Sequence, residues 1–302
     1  MTDYPVPEPR WHDGLQGRFL RLAASGYVPA KWFEPDLPPP EMRAARSGEL
    51  HLEIVSHCWN YANMLFYQLS SLVVFPPANM RITMTVFFND ADSETRALLS
   101  HFSNIDVPGV IWNFRQLPTQ ALFRRAIGRN LAAKESQADW IWFTDCDLLF
   151  REGCLDALNT ALQSRRDALV YPREEYCTGL LSSEHPLLRP DLNDIVVSDV
   201  DPALFRRFEK SRATGPLQIT HGDVARAVGY CEALPYYQRP SHTWCKAYED
   251  RAFRWLLRTQ GEALDVPGVY RIRHAAKGRY TGSRLSNGVR GKLRQLVAKV
   301  KG

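Results

Sequence analysis

Two carboxylates one residue apart, Asp145 and Asp147, follow the apolar run Trp140-Ile141-Trp142-Phe143 and the hydroxyl of Thr144. A short apolar run bounded by polar residues reads as a strand buried on both faces, as in a parallel sheet. On a strand carried through to Phe150, side chains two apart project from one side, so both acids would face the same space. Like charges held together beside an apolar sheet repel and are poorly solvated unless a cation lies between them. Oxygen ligands favour hard ions, so Mg²⁺ or Mn²⁺ shared with a substrate's phosphates is the chemistry this pair suggests. A solvated Asp-x-Asp turn is the competing reading, and the motif alone does not choose.

Three other groups could do chemistry. Asn89-Asp90-Ala91-Asp92-Ser93 follows a second strand-like run, at the sheet edge where open α/β sheets bind ligands. Asp90 or Asp92 there could hold a base or ribose, or Asp92 could cap the following helix. Arg125 and Arg129 stand four apart, on one face of a helix, as a clamp for phosphate oxygens or as a solvated face. Between them, Gly128 costs a helix about 1 kcal/mol against alanine, which suggests that something approaches closely. Finally, Glu249 and Asp250 open a helix, where the macrodipole favours acids whatever their role. Tyr248, Ala252, Trp255 and Leu256 give that helix an apolar face, and the two acids fall outside it.

These residues need elements to position them. His51–Ser56 reads as a strand, Trp59–Val73 as a helix with apolar residues at helical spacing, and Ile82–Phe88 as a second strand. Strand, helix, strand at this spacing is a parallel crossover. A short strand over Val110–Phe114 follows, then one helix from Thr119 to about Gln137 that delivers the chain into the Asp145-Cys146-Asp147 segment. Cys154–Leu162 continues as helix. Residues 171–216 read as long and irregular, a candidate acceptor loop. A strand and turn at 215–223 lead into a helix over Val224–Val228, and Val266–Ile272 is a last strand. Residues 1–49 are proline-broken, with a short helix expected around Leu15–Ala24.

Composition is that of a globular protein: 302 residues, 45% hydrophobic and 24% charged, with a net charge of +5 that suits an anionic ligand without arguing for nucleic acid. The six cysteines show no Cys-x-x-Cys pair and no zinc spacing, so a reducing, cytoplasmic setting is expected. The opening residues show no basic-then-apolar leader, and no run of about 18 apolar residues exists.

The acidic loop after the second strand, then Arg129-Asn130, then a hydrophobic strand ending in Asp145-Cys146-Asp147 resembles the GT-A glycosyltransferases. Family 2 is the most similar, with a galactosyltransferase-type C-terminal half. Gly229-Tyr230, then Trp244 and Glu249-Asp250 opening a helix, carry the likeness onward. The resemblance implies a GT-A (Rossmann-like) α/β fold with a mixed, mostly parallel sheet. It divides the chain into an extension (1–49), a catalytic domain (50–276, with a nucleotide half 50–150 and an acceptor half 151–276) and a basic tail (277–302). It implies a metal-dependent hexosyltransferase that uses a nucleotide-diphosphate sugar, a UDP-sugar for preference, and inverts. By the same likeness Asp90 and Asp92 hold the nucleoside, and Arg125, Arg129 and Asn130 lie near the diphosphate and sugar. Asp145 touches ribose or sugar; Asp147, with Asp145 and His274, holds Mn²⁺ or Mg²⁺. Asp250 is then the base, Glu249 hydrogen-bonds the acceptor, and Lys277–Tyr280 meet the diphosphate. The loop reads Asn-Asp-Ala-Asp where the family has Asp-Asp-Gly-Ser.

The acceptor, whether glycan, lipid-linked or small molecule, is not named by these motifs. The tail carries eight lysines and arginines and no acid, over apolar residues at helical spacing. That pattern reads as an anionic membrane-surface binder at the inner face of a membrane, or as a solvated helix. Rival readings are a non-catalytic nucleotide-sugar binder, a haloacid-dehalogenase-type phosphatase, which wants Thr or Val where Leu149 stands, and a nucleotidyltransferase, for which a Gly-rich phosphate loop with Lys is missing.

Overall fold

A computed structural model describes residues 13–34, 36–244 and 248–274. Helix α1 (Asp13–Leu22) lies in the N-terminal extension. The runs expected as strands and helices then follow as β1 (Leu50–His57), α2 (Ala62–Val74), β2 (Met80–Phe88), α3 (Ser93–Ser103) and β3 (Val110–Gln116). Next come α4 (Thr119–Leu122), α5 (Arg125–Glu135), β4 (Trp140–Phe143), β5 (Leu148–Phe150) and α6 (Cys154–Leu162). The remainder is β6 (Leu169–Pro172), β7 (Glu174–Thr178), β8 (Phe205–Glu209), β9 (Gln218–His221), α7 (Gly222–Val228), α8 (Glu249–Leu256), β10 (Glu262–Leu264) and β11 (Val269–Arg271).

Seven strands form one sheet in the order β10-β6-β9-β4-β1-β2-β3. All pairs are parallel except the two made by β9, which runs against β4 and β6. This is the mixed, mostly parallel α/β sheet expected. Its centre is built by residues buried on both faces: all four of β4, and every residue of β1 except His51. Burying the apolar side chains among them contributes roughly 1.5–3 kcal/mol each, which holds these two strands in the middle of the sheet. The indole N–H of Trp142 donates to the carbonyl of Pro216 at 2.9 Å, so its one polar atom is satisfied there.

Three elements differ from expectation. The segment 139–150 is two strands in two sheets: β4 stops at Phe143, Leu148 N donates to Asp145 O at 3.1 Å to close a turn, and β5 joins a second sheet. Charged side chains cannot continue inside the apolar sheet, so the chain leaves it where Asp145 begins, and strand alternation does not place the two acids. The helix expected from Thr119 is broken at Arg124, whose φ/ψ of −109°/84° are not helical, and residue 118 rather than Thr119 holds the cap position. Residues 171–216 are less irregular than their sequence suggests. They contribute β7 and β8 to a four-stranded sheet, β5-β11-β7-β8. Buried Glu175 receives Arg271 and Lys210 there at 2.5 and 2.6 Å.

Among the described residues no helix is long and apolar enough to cross a membrane. The basic tail and Lys277–Tyr280 lie outside the described residues.

Candidate active site

The turn Asp145–Asp147 sits at the carboxyl ends of β1 and β4, and α2 holds it from beneath. Gln68 of α2 is fully buried, accepts from Ser56 Oγ at 2.6 Å, and donates to Asp145 O and Leu148 O at 3.0 and 2.9 Å. A buried amide that meets three partners fixes both ends of the turn at once. Cys146 Sγ donates to His57 O at 3.2 Å, and Ile272 N, just past β11, donates to Asp147 O at 2.9 Å.

That last contact brings the C-terminal end of the described chain to the motif. Antiparallel pairing of β11 with β5 sets Arg271 opposite Leu148, and His274 follows three residues on. The hydroxyl of Tyr61, at the start of α2, stands 3.4 Å from Asp147 Oδ2 and also touches His274 Nε2. Asp147 and His274, 127 positions apart in sequence, therefore converge on one phenol. Among the described residues, no three His, Cys, Asp or Glu side chains gather closely enough to hold a metal ion as they stand. Asp145 is turned the other way.

Asp145 faces α5. Arg125 Nη1 lies 2.5 Å from its Oδ1, and Arg129 Nη2 3.6 Å. Arg125 also donates from Nε to Glu249 Oε1 at 3.0 Å, with Nη2 in ion-pair contact at 2.8 Å, so one guanidinium joins the Asp145 turn to the first residue of α8. Burial disfavours the Arg125 charge, but Asp145 and then Glu249 outweigh it and hold its pKa well above the ordinary value. Burial likewise pushes the Glu249 carboxyl up, yet Arg125 and Arg129 bring it below its ordinary value. Glu249 is thus an ionised carboxylate at 2% exposure, contrary to the expectation that it lies outside the helix's buried face. The expectation counted only apolar residues as buried, and a carboxylate with a buried arginine partner breaks that rule. Its Oε2 is buried with no hydrogen-bond partner among the described residues.

Arg129 is fully buried, donating to Thr144 O at 3.1 Å and to Tyr230 Oη at 2.8 Å. Tyr230 Oη in turn donates to Gln218 Oε1 at 3.0 Å, and Gln218 Nε2 donates to Asp250 O at 2.9 Å. The chain of bonds runs from α5 to the start of α8. Asn130 Oδ1 accepts from Tyr230 N at 2.8 Å, and so ties α5 to the turn after α7. The close approach expected at Gly128 is present: a Cβ there would strike His57 Nε2 and stand 2.9 Å from the Phe87 ring.

Asp250 points around α8 toward Gly215, with its Oδ2 3.6 Å from Arg254 Nη1 and its side chain 30% exposed. In the acidic loop, Asp92 is the α3 cap: Oδ1 accepts from Thr95 N at 3.2 Å, and Oδ2 accepts from Thr95 Oγ1 and from Asn60 N, both at 2.6 Å. Asp90 is exposed. Asp145, Arg125, Arg129 and Glu249 thus form one cluster and Asp147 and His274 a neighbouring one, while Asp90, Asp92, Asn130 and Asp250 take separate positions around them.

Sequence reasoning missed Tyr61 and Gln68. Gln68 falls among the apolar positions of α2, and a polar residue on a helix's buried stripe was the available signal. Nothing local marks Tyr61, because its partners are far along the chain.

Residues 81–225, from β2 into α7, match the family model described as glycosyl transferase family 2. No curated protein matches the sequence. Among solved structures, S. aureus TarS 1-349 in complex with UDP is similar at 11% identity and a TM-score of 0.47, covering 74% of this chain and 60% of that one. The same protein in complex with UDP-GlcNAc gives 11%, 0.47, 77% and 61%, and S. aureus TarS gives 12%, 0.45, 74% and 37%. The chain therefore spans about 60% of the first of these. The family match crosses the acidic loop, α5 and the Asp145–Asp147 turn, and over that stretch the chain is similar to the family 2 glycosyl transferases.

Proposed function

We propose that the protein transfers a sugar from a nucleotide-diphosphate sugar to an acceptor hydroxyl, with inversion. The observation that carries this reading is the Arg125 bridge, which joins Asp145 of the donor-side turn to Glu249 at the start of the helix that bears Asp250. In this reading residues 50–150 serve the nucleotide and 151–276 the acceptor. Asp90 is the side chain of the acidic loop that remains exposed for the nucleoside, since Asp92 is taken up by its cap. Asn130 supports the fold of the site through Tyr230.

The donor set fits a hard divalent ion. Mg²⁺ keeps several waters and takes one or two carboxylates plus phosphates, and Mn²⁺ accepts imidazole as well as oxygen. Asp147 and His274, already converging on Tyr61 Oη, are the residues that would hold it, with the diphosphate completing the shell. Asp145 would join them only by leaving Arg125. When bound, the ion supplies charge neutralisation for the leaving diphosphate.

The remaining work belongs to the chain. Arg125 and Arg129 add fixed positive charge beside the donor. The acceptor oxygen forms a bond to the anomeric carbon as the bond to the diphosphate oxygen breaks, and the hydroxyl proton passes to the Asp250 carboxylate. Glu249 Oε2 is the buried acceptor atom left to orient the incoming hydroxyl. A thermal-shift panel of UDP-, GDP-, CMP- and dTDP-sugars, with and without Mn²⁺, followed by a donor-hydrolysis assay, tests the proposal. We expect one sugar nucleotide to stabilise the protein in Mn²⁺ and to be slowly hydrolysed. Binding without hydrolysis or transfer would make the chain a sugar-nucleotide binder instead.

A further inference from the structure

Helix α8 borders a second concavity, on the side away from Asp145. At about 100° per residue, Arg251 and Arg254 lie roughly 200° and 140° around the helix from Glu249. Together with Arg212, Arg258, Ser25 and Trp255 they line a cleft of about 400 Å³, and none of the described residues lining it is acidic. That volume is within the range of small-molecule sites, roughly 300–1,000 Å³.

The charges there are compensated unevenly. Arg254 has a 7% exposed side chain; its Nη1 donates to Ala213 O at 2.6 Å and stands 3.6 Å from Asp250 Oδ2, the one carboxylate among the described residues that it is paired with. Burial lowers its pKa, Asp250 opposes this, and Arg212 adds to it as a like charge. Arg258 donates to the backbone carbonyl of Glu34, and its charge also acts on the Glu34 carboxylate. The guanidinium groups of Arg212 and Arg251 make no hydrogen bond or ion pair with any described residue. Like charges around one hollow repel one another, and the planar forks of Arg212 and Arg251 match the oxygens of phosphate two at a time.

We propose that this cleft binds a phosphate group carried by the acceptor, which makes the acceptor a phosphorylated compound. The proposal rests on the transferase reading above, because Arg254 links the cleft to Asp250, the base of that reading. The phosphate could belong to a soluble metabolite or to a lipid. The second source has a place to lie: Leu15, Phe19 and Leu22 form an outward stripe on α1, exposed by 56%, 48% and 55%, opposite buried Leu20, and the chain just beyond α1 (Ala24, Ser25, Gly26) walls the cleft.

The test is calorimetric titration of the full chain with inorganic phosphate at ionic strength matched with chloride, on the wild type and on Arg212→Gln/Arg251→Gln. We expect saturable binding that weakens at least about tenfold in the double variant, since two of the four charges are removed, with sugar-nucleotide binding unchanged. Absence of saturable phosphate binding in the wild type, or equal binding in the variant, overturns the proposal. The two readings fail separately. Arg212- and Arg251-dependent phosphate binding with no sugar-nucleotide binding keeps the cleft and removes the donor assignment; the reverse keeps the donor and removes the cleft. Displacement of phosphate by glycerol 3-phosphate assigns a soluble source, and displacement only by vesicles containing phosphatidic acid assigns a lipid. Displacement by neither overturns the proposal.

Discussion

Replacing Arg125 by alanine should destabilise the protein by about 3 kcal/mol at neutral pH. Glu249 Oε1 loses its donor at 3.0 Å and its ion-pair contact at 2.8 Å, and the carboxylate stays 2% exposed with nowhere to hydrate. Breaking a buried pair by deleting one partner costs about 3–5 kcal/mol. Arg129 remains as the second cation acting on Glu249, which places the loss at the lower end. The loss has a pH signature. In the wild type the Glu249 carboxyl is held below its ordinary value of 4.5, so its stabilisation is complete above the unfolded-state value and is lost as pH falls through the folded one. Without Arg125 the burial contribution weighs more, the carboxyl rises, and the variant loses stability as pH rises. The gap between the two proteins is therefore widest at neutral pH and narrows toward about pH 4. Urea unfolding at pH 7.5 and near pH 4.5 measures it. Arg125→Leu/Glu249→Leu should recover most of the loss, because removing both charges leaves no carboxylate stranded. A deficit below about 1 kcal/mol, or one that does not change with pH, would refute the argument that this pair is buried and coupled.

Three further outcomes follow from the same geometry. Gly128→Ala should destabilise despite gaining about 1 kcal/mol of helix propensity, because crowding the stacked His57 and Phe87 rings costs about 1–3 kcal/mol; an equal or higher urea midpoint contradicts it. Tyr61→Phe removes the hydroxyl shared by Asp147 and His274, and should weaken Mn²⁺-dependent nucleotide affinity about tenfold, the size expected for an outer partner of metal ligands. Unchanged affinity by calorimetry would remove Tyr61 from the site. Asp250→Asn should keep sugar-nucleotide affinity and lower transfer about 10²–10⁴-fold; turnover within a few fold of the wild type would reassign the base.

Much of the sheet is legible in sequence because β1 and β2 carry apolar residues at strand spacing and β4 is four apolar residues in a row, and such burial does not depend on a particular partner. What stayed hidden depends on contacts between distant residues. The turn at Asp145 ends β4 because Gln68, Cys146 and the β5–β11 ladder draw the chain into a second sheet, and none of these partners is local. β7 reads as Glu-Glu-Tyr-Cys-Thr, an unpromising strand until Arg271 and Lys210 neutralise Glu175. The site residues were readable as chemical types, but not their pairings. Arg125 and Arg129 read as a pair on one face, for phosphate oxygens or for solvent, and both stand against Asp145. Glu249 and Asp250 are neighbours that diverge, one into the Arg125 cluster and one toward Arg254.

In the proposed reaction Asp147 is the carboxylate through which an ion would grip the donor. Calorimetric titration of the stabilising sugar nucleotide into wild type and Asp147→Ala, each with and without Mn²⁺, tests this most directly. The expected result is Mn²⁺-dependent binding in the wild type that Asp147→Ala loses by at least about 100-fold. Equal affinity of the two proteins in excess Mn²⁺ would contradict it.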